Sequence, residues 1–111
     1  MKVIVTQDVY EFLENLVIIL FEQEYFGFEE NARRYVNELY EDITQTLPLC
    51  PKKPAPSYFD KYGNGMYYAV FKKNNRTSWY AFFKIYQKED ELFYQVRYIA
   101  NNHTVAQYLE P

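Results

Sequence analysis

The first half of the chain carries apolar residues at helical spacing behind one short strand. The β-branched run at residues 2–6 predicts the strand. Apolar residues three and four positions apart predict a helix over residues 8–25, which Asp8 opens with Glu11 as its capping-box partner. The same spacing predicts a second helix over residues 29–47. Two helices joined by so short a turn form an αα-hairpin.

The spacing changes to strict alternation in the second half. Four prolines within residues 48–65 predict an extended crossing segment, because proline interrupts helices. Alternating residues then predict three strands, over residues 66–73, 77–87 and 92–99, followed by a short C-terminal turn. The order β-α-α-β-β-β predicts a single α+β domain over residues 1–111, with the αα-hairpin packed on a mainly antiparallel sheet.

Two tight turns set the predicted strand register. Asn74-Asn75 and Glu89-Asp90 are predicted as two-residue turns, since Asn and Asp tolerate positive φ. Counting from these turns gives the pairs Tyr68 with Ala81, Val70 with Trp79, Phe83 with Val96, Ala81 with Tyr98, and Phe82 with Arg97. A slip of one residue in either turn would exchange the two faces of a strand.

Side-chain alternation then divides the strands into two faces. The face predicted to pack on the helices holds Tyr68, Val70, Trp79, Ala81, Phe83, Ile85, Leu92, Tyr94, Val96 and Tyr98. The opposite face is aromatic and cationic, and it holds Tyr67, Phe71, Lys73, Tyr80, Phe82, Lys84, Tyr86, Phe93, Gln95 and Arg97. Such a face suits stacked bases and phosphates, and it suits equally well a covering partner or a covering segment of the same chain.

Charge is divided unequally between the two halves. Residues 1–47 carry ten acidic and three basic side chains, whereas residues 48–111 carry five acidic and nine basic ones. The imbalance indicates a cationic working surface on the later half, and the acidic helices are also explained by a solvated face. An aromatic content of 21% excludes a disordered chain.

Several classes of site and location are excluded by residue counts. One cysteine, Cys50, and one histidine, His103, are too few for a disulfide framework or a metal site built on several histidines. We therefore expect no metal and no cofactor. The longest apolar run, residues 16–21, is too short for a membrane span, and no secretory leader is recognised, so a cytoplasmic protein without a membrane partner is expected.

Three groups of residues are candidates for chemistry. Lys72, Lys73 and Arg76 concentrate positive charge at one hairpin tip, which is either a phosphate clamp or a solvated turn. Arg97 and His103 lie six positions apart and are able to supply a cation and a proton-transfer group to one site. The alternative is that His103 is a surface histidine without a function.

The third group is the aromatic pair Tyr80 and Phe82, which would stack a base if the predicted register holds. No Ser/His/Asp spacing, P-loop or Rossmann glycine pattern is present. Conventional hydrolase, kinase and dehydrogenase activities are therefore not indicated.

The late part of the chain resembles the closing strands of RelE/HigB-like toxins in the RelE/ParE superfamily, which belong to bacterial type II toxin–antitoxin systems. The resemblance is carried by Trp79-Tyr80-Ala81-Phe82-Phe83 and by Val96-Arg97-Tyr98-Ile99-Ala100-Asn101-Asn102-His103-Thr104. The short first strand, the αα-hairpin and the three-strand meander fit the same family. The calculated pI of about 5.2 departs from the strongly basic character of the ribosome-dependent members.

The resemblance implies a function and residue roles. It implies a toxin that cleaves mRNA on the ribosome without a metal, with a ParE-like DNA gyrase inhibitor or an inert antitoxin-binding module as alternatives. Arg97 would stabilise the developing charge, His103 would be the terminal acid or base, the three hairpin cations would hold the RNA backbone, and Tyr80 and Phe82 would stack a base. A cognate antitoxin would cover the cationic sheet face, and the free protein would be able to form a homodimer through that face.

Overall fold

Two long helices lie close to the predicted spans. The computed structural model describes residues 1–23 and 27–109. Helix α1 spans Gln7–Glu22 and helix α2 spans Glu29–Thr46. The predicted end of the first helix at residue 25 lies outside the described residues.

The predicted cap of α1, Asp8 with Glu11 as its partner, is wrong. Thr6 is the cap, and its side-chain oxygen accepts a hydrogen bond from the backbone N–H of Val9 at 3.3 Å. Thr6 has an extended backbone and directly follows the last residue of the first strand, so it links that strand to the helix that it caps. Glu11 accepts a hydrogen bond from the side chain of Gln7 at 3.4 Å, so it does not serve the capping box that was predicted with Asp8.

The strands form one mixed sheet of five. They are β1 (Lys2–Val5), β2 (Lys53–Pro54), β3 (Tyr67–Lys72), β4 (Ser78–Lys88) and β5 (Glu91–Asn101), in the spatial order β1-β5-β4-β3-β2. β1 runs parallel to β5, and the other pairs are antiparallel. The α+β class is confirmed. Helix α3 (Asn102–Leu109) follows β5 directly, and 3-10 turns lie at Leu47–Leu49 and Ser57–Tyr62.

The αα-hairpin packs its apolar stripe on one face of this sheet. Val17, Leu39 and Ile43 are almost fully buried there against sheet residues such as Phe83 and Val96. Burying an aliphatic or phenylalanine side chain contributes about 1.5–3 kcal/mol, so this cluster supplies much of the driving force for folding. No helix in residues 1–23 and 27–109 is long and apolar enough to cross a bilayer.

The predicted turn at Asn74-Asn75 is wrong. Lys72 pairs with Ser78, so a five-residue loop joins β3 to β4. The side-chain oxygen of Asn74 organises this loop, since it accepts hydrogen bonds from the backbone N–H groups of Arg76 and Thr77 at 2.8 and 2.9 Å. The longer loop shifts the register by one residue, and Tyr68 therefore pairs with Phe82 instead of Ala81.

This shift exchanges the two predicted faces of β3. Ala69 and Phe71 are buried beneath the helices, whereas Tyr68 packs on the opposite side of the sheet and Val70 is exposed. The faces of β4 are as predicted, because Trp79, Ala81 and Phe83 face the helices.

The predicted turn at Glu89-Asp90 is confirmed. Lys88 pairs with Glu91, and Glu89 takes up a φ of +57°. Phe83 pairs with Val96, as predicted. The register then changes, because the next pair is Phe82 with Tyr98, which leaves Arg97 as the extra residue of a β-bulge. The predicted pairs Ala81 with Tyr98 and Phe82 with Arg97 are therefore wrong.

The sheet face opposite the helices has its own core. Phe59, from the 3-10 turn Ser57–Tyr62, stacks on Phe82 with 4.3 Å between the ring centroids. Met66, Ala100 and Val105 complete the buried cluster, and Tyr98 packs against it. This aromatic face is therefore covered by other segments of the same chain, which was one of the possibilities that the sequence left open.

Tyr98 gives this second core a measurable signature. Burial raises its pKa from 10.0 to about 12, because the phenolate would lose hydration, and a hydrogen bond with Tyr62 adds to the effect. Since the folded pKa lies above the unfolded value, Tyr98 favours the folded state below pH 10, and this contribution is lost as the pH rises towards 12.

We expect the Tyr98→Phe variant to lose one component near pH 12 from the tyrosine absorbance titration at 295 nm. Repeating the titration in denaturant supplies the control, since the difference between the two proteins should then move to the ordinary value of 10.0. A difference between the native titrations of the two proteins that contains no component near pH 12 would contradict the assignment.

Candidate functional site

A cavity of about 380 Å³ opens where the end of α1, the β3–β4 loop and the start of α3 meet. Its walls contain apolar, aromatic and polar side chains. They are Leu16, Ile19, Leu20, Gln23, Tyr35, Asn74, Thr77, Trp79, Asn101 and His103. The cavity therefore joins His103, a candidate from the sequence, to the loop that carries the candidate cations.

A hydrogen bond between two aromatic side chains lies in the wall of this cavity. The indole N–H of Trp79 donates to the hydroxyl of Tyr35 at 2.9 Å. Trp79 is almost fully buried, whereas Tyr35 is half-buried. The phenol is thereby held in a fixed place at the cavity, since a buried indole N–H requires a partner.

Lys73 is turned towards α2. Its ammonium group lies 4.8 Å from the centre of the Tyr35 ring and 3.8 Å from a carboxylate oxygen of Glu38. Its side chain is only 13% exposed, and part of its charge is compensated by the carboxylate. Lys72 and Arg76 are exposed and lie at the two ends of the loop. Two of the three predicted phosphate-binding cations are therefore open to solvent.

Asn102 joins the cationic loop to the start of α3. Its side-chain N–H donates to the carbonyl of Arg76 at 3.1 Å, and its side-chain oxygen accepts from the N–H of Ser78 at 2.9 Å. His103 is the next residue and is exposed. This pair of hydrogen bonds fixes the loop and His103 relative to one another.

Asn101 caps α3 in the same region. Its side-chain oxygen accepts from the backbone N–H and from the hydroxyl of Thr104, at 3.1 and 3.2 Å. The hydrogen-bonding roles of Asn101 and Asn102 were not predicted from the sequence. That of Asn101 could have been, because an asparagine directly before a helix is a recognised capping signal.

Arg97 lies in different surroundings. Its guanidinium donates to the side-chain oxygen of Gln95 at 2.9 Å, to the carbonyl of Tyr62 at 3.2 Å, and to the hydroxyl of Tyr86. It lines a separate cavity of about 190 Å³ together with Asp8 and Tyr62. The structure therefore does not bring Arg97 and His103 into one site, because the bulge directs Arg97 towards the 3-10 turn. Their catalytic roles remain predictions.

The two predicted stacking residues differ in accessibility. Phe82 is 0% exposed and lies under Phe59, so it offers no ring face to a base, and its predicted role does not agree with the structure. Tyr80 is half-buried with its ring centre 6.0 Å from that of Tyr68. Its stacking role remains a prediction.

A stacked tyrosine pair ties α3 to the crossing segment. The rings of Tyr58 and Tyr108 lie 3.6 Å apart and nearly parallel. Their hydroxyl–hydroxyl hydrogen bond lowers the pKa of Tyr58 and raises the pKa of Tyr108. Because Tyr108 is in α3, the pair helps to hold the helix that carries His103.

The cavity therefore offers one imidazole, one phenol and several amide groups, with exposed cations on the adjoining loop. Imidazole transfers protons near neutral pH, and exposed Lys and Arg side chains bind phosphate oxygens. Comparisons of the chain with protein-family models, with curated proteins and with solved structures gave no match.

Proposed function

We propose that this protein is a toxin of RelE/ParE type that cleaves mRNA, with His103 as its acid or base group. The observation that carries the proposal is the pinning of the cationic β3–β4 loop beside His103 by the two hydrogen bonds of Asn102. The strand order, in which β1 lies parallel to β5 beneath the αα-hairpin, is compatible with the fold that the resemblance implies.

The proposed reaction is attack of a ribose 2′-hydroxyl on the adjacent phosphorus. A bond forms between O2′ and phosphorus, the bond to O5′ breaks, and a 2′,3′-cyclic phosphate results. One proton leaves O2′ for a base, and one proton is donated to the departing O5′. His103 is suited to either transfer, because an imidazole ring is able both to accept and to donate a proton.

The exposed cations would act on the phosphate. Lys72 and Arg76 are exposed, and they would attract the RNA backbone and stabilise the charge that develops on phosphorus. The formal net charge of −3 works against binding of free RNA. We therefore expect cleavage to depend on the ribosome, which would hold the mRNA in place.

Induced expression tests this proposal. The wild-type protein should arrest growth, and mapping of RNA 5′ ends should reveal cuts within translated codons. His103→Ala should reduce cleavage by about 10²–10⁴-fold, the usual contribution of a general acid or base. Lys88→Ala is the matched control, since this exposed cation lies at the distant β4–β5 turn, and it should remain toxic. Intact transcripts in arrested cells would contradict the nuclease proposal.

The separation of Arg97 from His103 favours a second candidate, a ParE-like inhibitor of DNA gyrase that performs no cleavage of its own. This candidate predicts an unchanged transcript pool together with an induced DNA-damage response. An inert antitoxin-binding module predicts harmless overexpression. The same induction experiment therefore separates all three functions.

We also propose a cognate antitoxin as partner. Much of the sheet face that it was expected to cover is occupied by Phe59 and α3, and Lys72 and Arg76 are among the cations that stay exposed. Co-expression of a short neighbouring reading frame should restore growth.

A further inference from the structure

We propose that Tyr58 and Tyr108 form an oxidative modification site, at which a haem peroxidase with hydrogen peroxide joins the two rings by a carbon–carbon bond. Tyr58 lies in the 3-10 turn Ser57–Tyr62 and Tyr108 lies in α3, so the bond fastens two separate segments of the chain to each other. The proposal does not depend on the proposed function, because neither tyrosine lines the cavity beside His103.

The two rings are closer than aromatic side chains usually are. Their centres lie 3.6 Å apart and their planes differ by 4°. Aromatic pairs usually keep their centres about 4.5–7 Å apart, in offset or edge-to-face arrangements. The hydrogen bond between the hydroxyls brings the same ends of both rings together. The ring carbons next to the hydroxyls, where phenoxyl radicals couple, therefore face one another in an arrangement that favours bond formation.

The reaction removes two hydrogen atoms from the protein. Each phenol gives one electron and its hydroxyl proton to the oxidant, so that two phenoxyl radicals result. A bond forms between one carbon of each ring next to the oxygen, the C–H bond at each of these carbons breaks, and each oxygen regains a proton. One molecule of hydrogen peroxide takes up the two electrons and the two protons and becomes two molecules of water.

Tyr58 is suited to be oxidised first. Its side chain is 42% exposed, so an oxidant in solution has access to it. The hydrogen bond with Tyr108 lowers the pKa of Tyr58, and so does the ammonium group of Lys61, which lies 4.4 Å from the centre of the Tyr58 ring. A lower pKa eases the release of the proton that accompanies the electron. Tyr108 lies directly against the Tyr58 radical when it is oxidised in turn.

Two further tyrosine pairs give an internal comparison. The rings of Tyr68 and Tyr80 lie 6.0 Å apart and are inclined by 59°, so their carbons do not face one another. The rings of Tyr62 and Tyr98 are stacked, with 4.0 Å between the centres and 8° between the planes. Burial raises the pKa of Tyr98 to about 12, however, so its phenol keeps its proton more firmly. We therefore expect coupling at the exposed pair that involves α3.

Peroxidase oxidation of the dilute full-length chain tests the proposal. We expect a monomer that is lighter by two hydrogen atoms and shows dityrosine fluorescence. Trypsin cleaves after Lys61, between Tyr58 and Tyr62, so a link from peptide 53–61 to peptide 98–111 identifies the proposed pair. A link from peptide 62–72 to peptide 98–111, dityrosine only between different molecules, or no dityrosine would overturn the proposal.

Tyr58→Phe and Tyr108→Phe remove the reacting hydroxyl and keep the ring. Each should slow the formation of the intramolecular product at least about tenfold, because the favourable placement of two phenols is lost. Oxidation in denaturant should lower the yield of this product as much. Tyr62→Phe is the matched control, since it removes a hydroxyl from the other stacked pair, and its yield should equal that of the wild-type protein. An unchanged rate in both test variants, or an equal loss in Tyr62→Phe, would overturn the proposal.

Discussion

Replacing Phe82 by alanine should lower the free energy of unfolding by about 3–5 kcal/mol, the usual cost of removing a buried phenylalanine ring. Phe82 is 0% exposed and lies in the second core, between the 3-10 turn and the sheet. Removing its ring leaves a cavity beneath Phe59, whose ring centre is only 4.3 Å away. Urea denaturation of both proteins measures the difference as a shift of the midpoint.

Phe28→Ala is the matched control for this prediction. Phe28 is 67% exposed and makes no side-chain capping bond, so its replacement should change the free energy of unfolding by less than about 0.5 kcal/mol. The comparison also separates two roles for Phe82. If it stacked a base, Phe82→Ala would keep its stability and lose RNA binding, and the burial argument would be wrong.

The two long helices and the strands of the C-terminal meander were accessible from the sequence because each depends on local periodicity. Val36, Leu39 and Ile43 recur at the spacing of one helical face, and all three are buried in the observed core. The turn at Glu89-Asp90 was accessible as well, because two residues suffice to reverse the chain there.

The register of β3 was not accessible, because it depends on how many residues the loop uses. Asn74-Asn75 has the composition of a tight turn, but the side chain of Asn74 binds two backbone N–H groups and stabilises a loop of five residues. The β-bulge at Arg97 was not predicted from the alternation of side chains along β5. A single displaced residue in each case moved Tyr68 and Tyr98 to the opposite face.

The candidate site was predicted in part for the same reason. The hairpin cations and His103 were identified from residue type, and the structure places Asn74 and His103 at one cavity. Asn102 connects the loop to His103 through hydrogen bonds to Ser78 and Arg76, which lie 24 and 26 residues away in the chain. No local sequence pattern indicates contacts between residues so far apart. The covering of Phe82 likewise depends on where Phe59, in the proline-rich segment, comes to lie.

Arg97→Ala should lower the free energy of unfolding by about 1.5–3 kcal/mol, the range for hydrogen bonds that involve a charged group. The Arg97 guanidinium binds the carbonyl of Tyr62 and the side chains of Gln95 and Tyr86, so it fastens the 3-10 turn to the sheet. Without it, the turn that carries Phe59 loses an attachment. A purely catalytic Arg97 would instead leave the urea midpoint unchanged while RNA cleavage fell.

A double-mutant cycle with Gly63→Ala tests whether Arg97 is held at the 3-10 turn. Its φ of +146° is rarely adopted by other residues, and an added Cβ would lie 2.5 Å from a guanidinium nitrogen of Arg97. Gly63→Ala should therefore cost backbone strain and, in addition, force Arg97 out of its hydrogen bonds. In the Arg97→Ala background only the strain remains, so Gly63→Ala should cost less there, by about 0.5–3 kcal/mol. Urea denaturation of the four proteins of this cycle gives the coupling. Additive costs would mean that the guanidinium is not held at Tyr62, because a freely moving side chain would yield to the methyl group without loss.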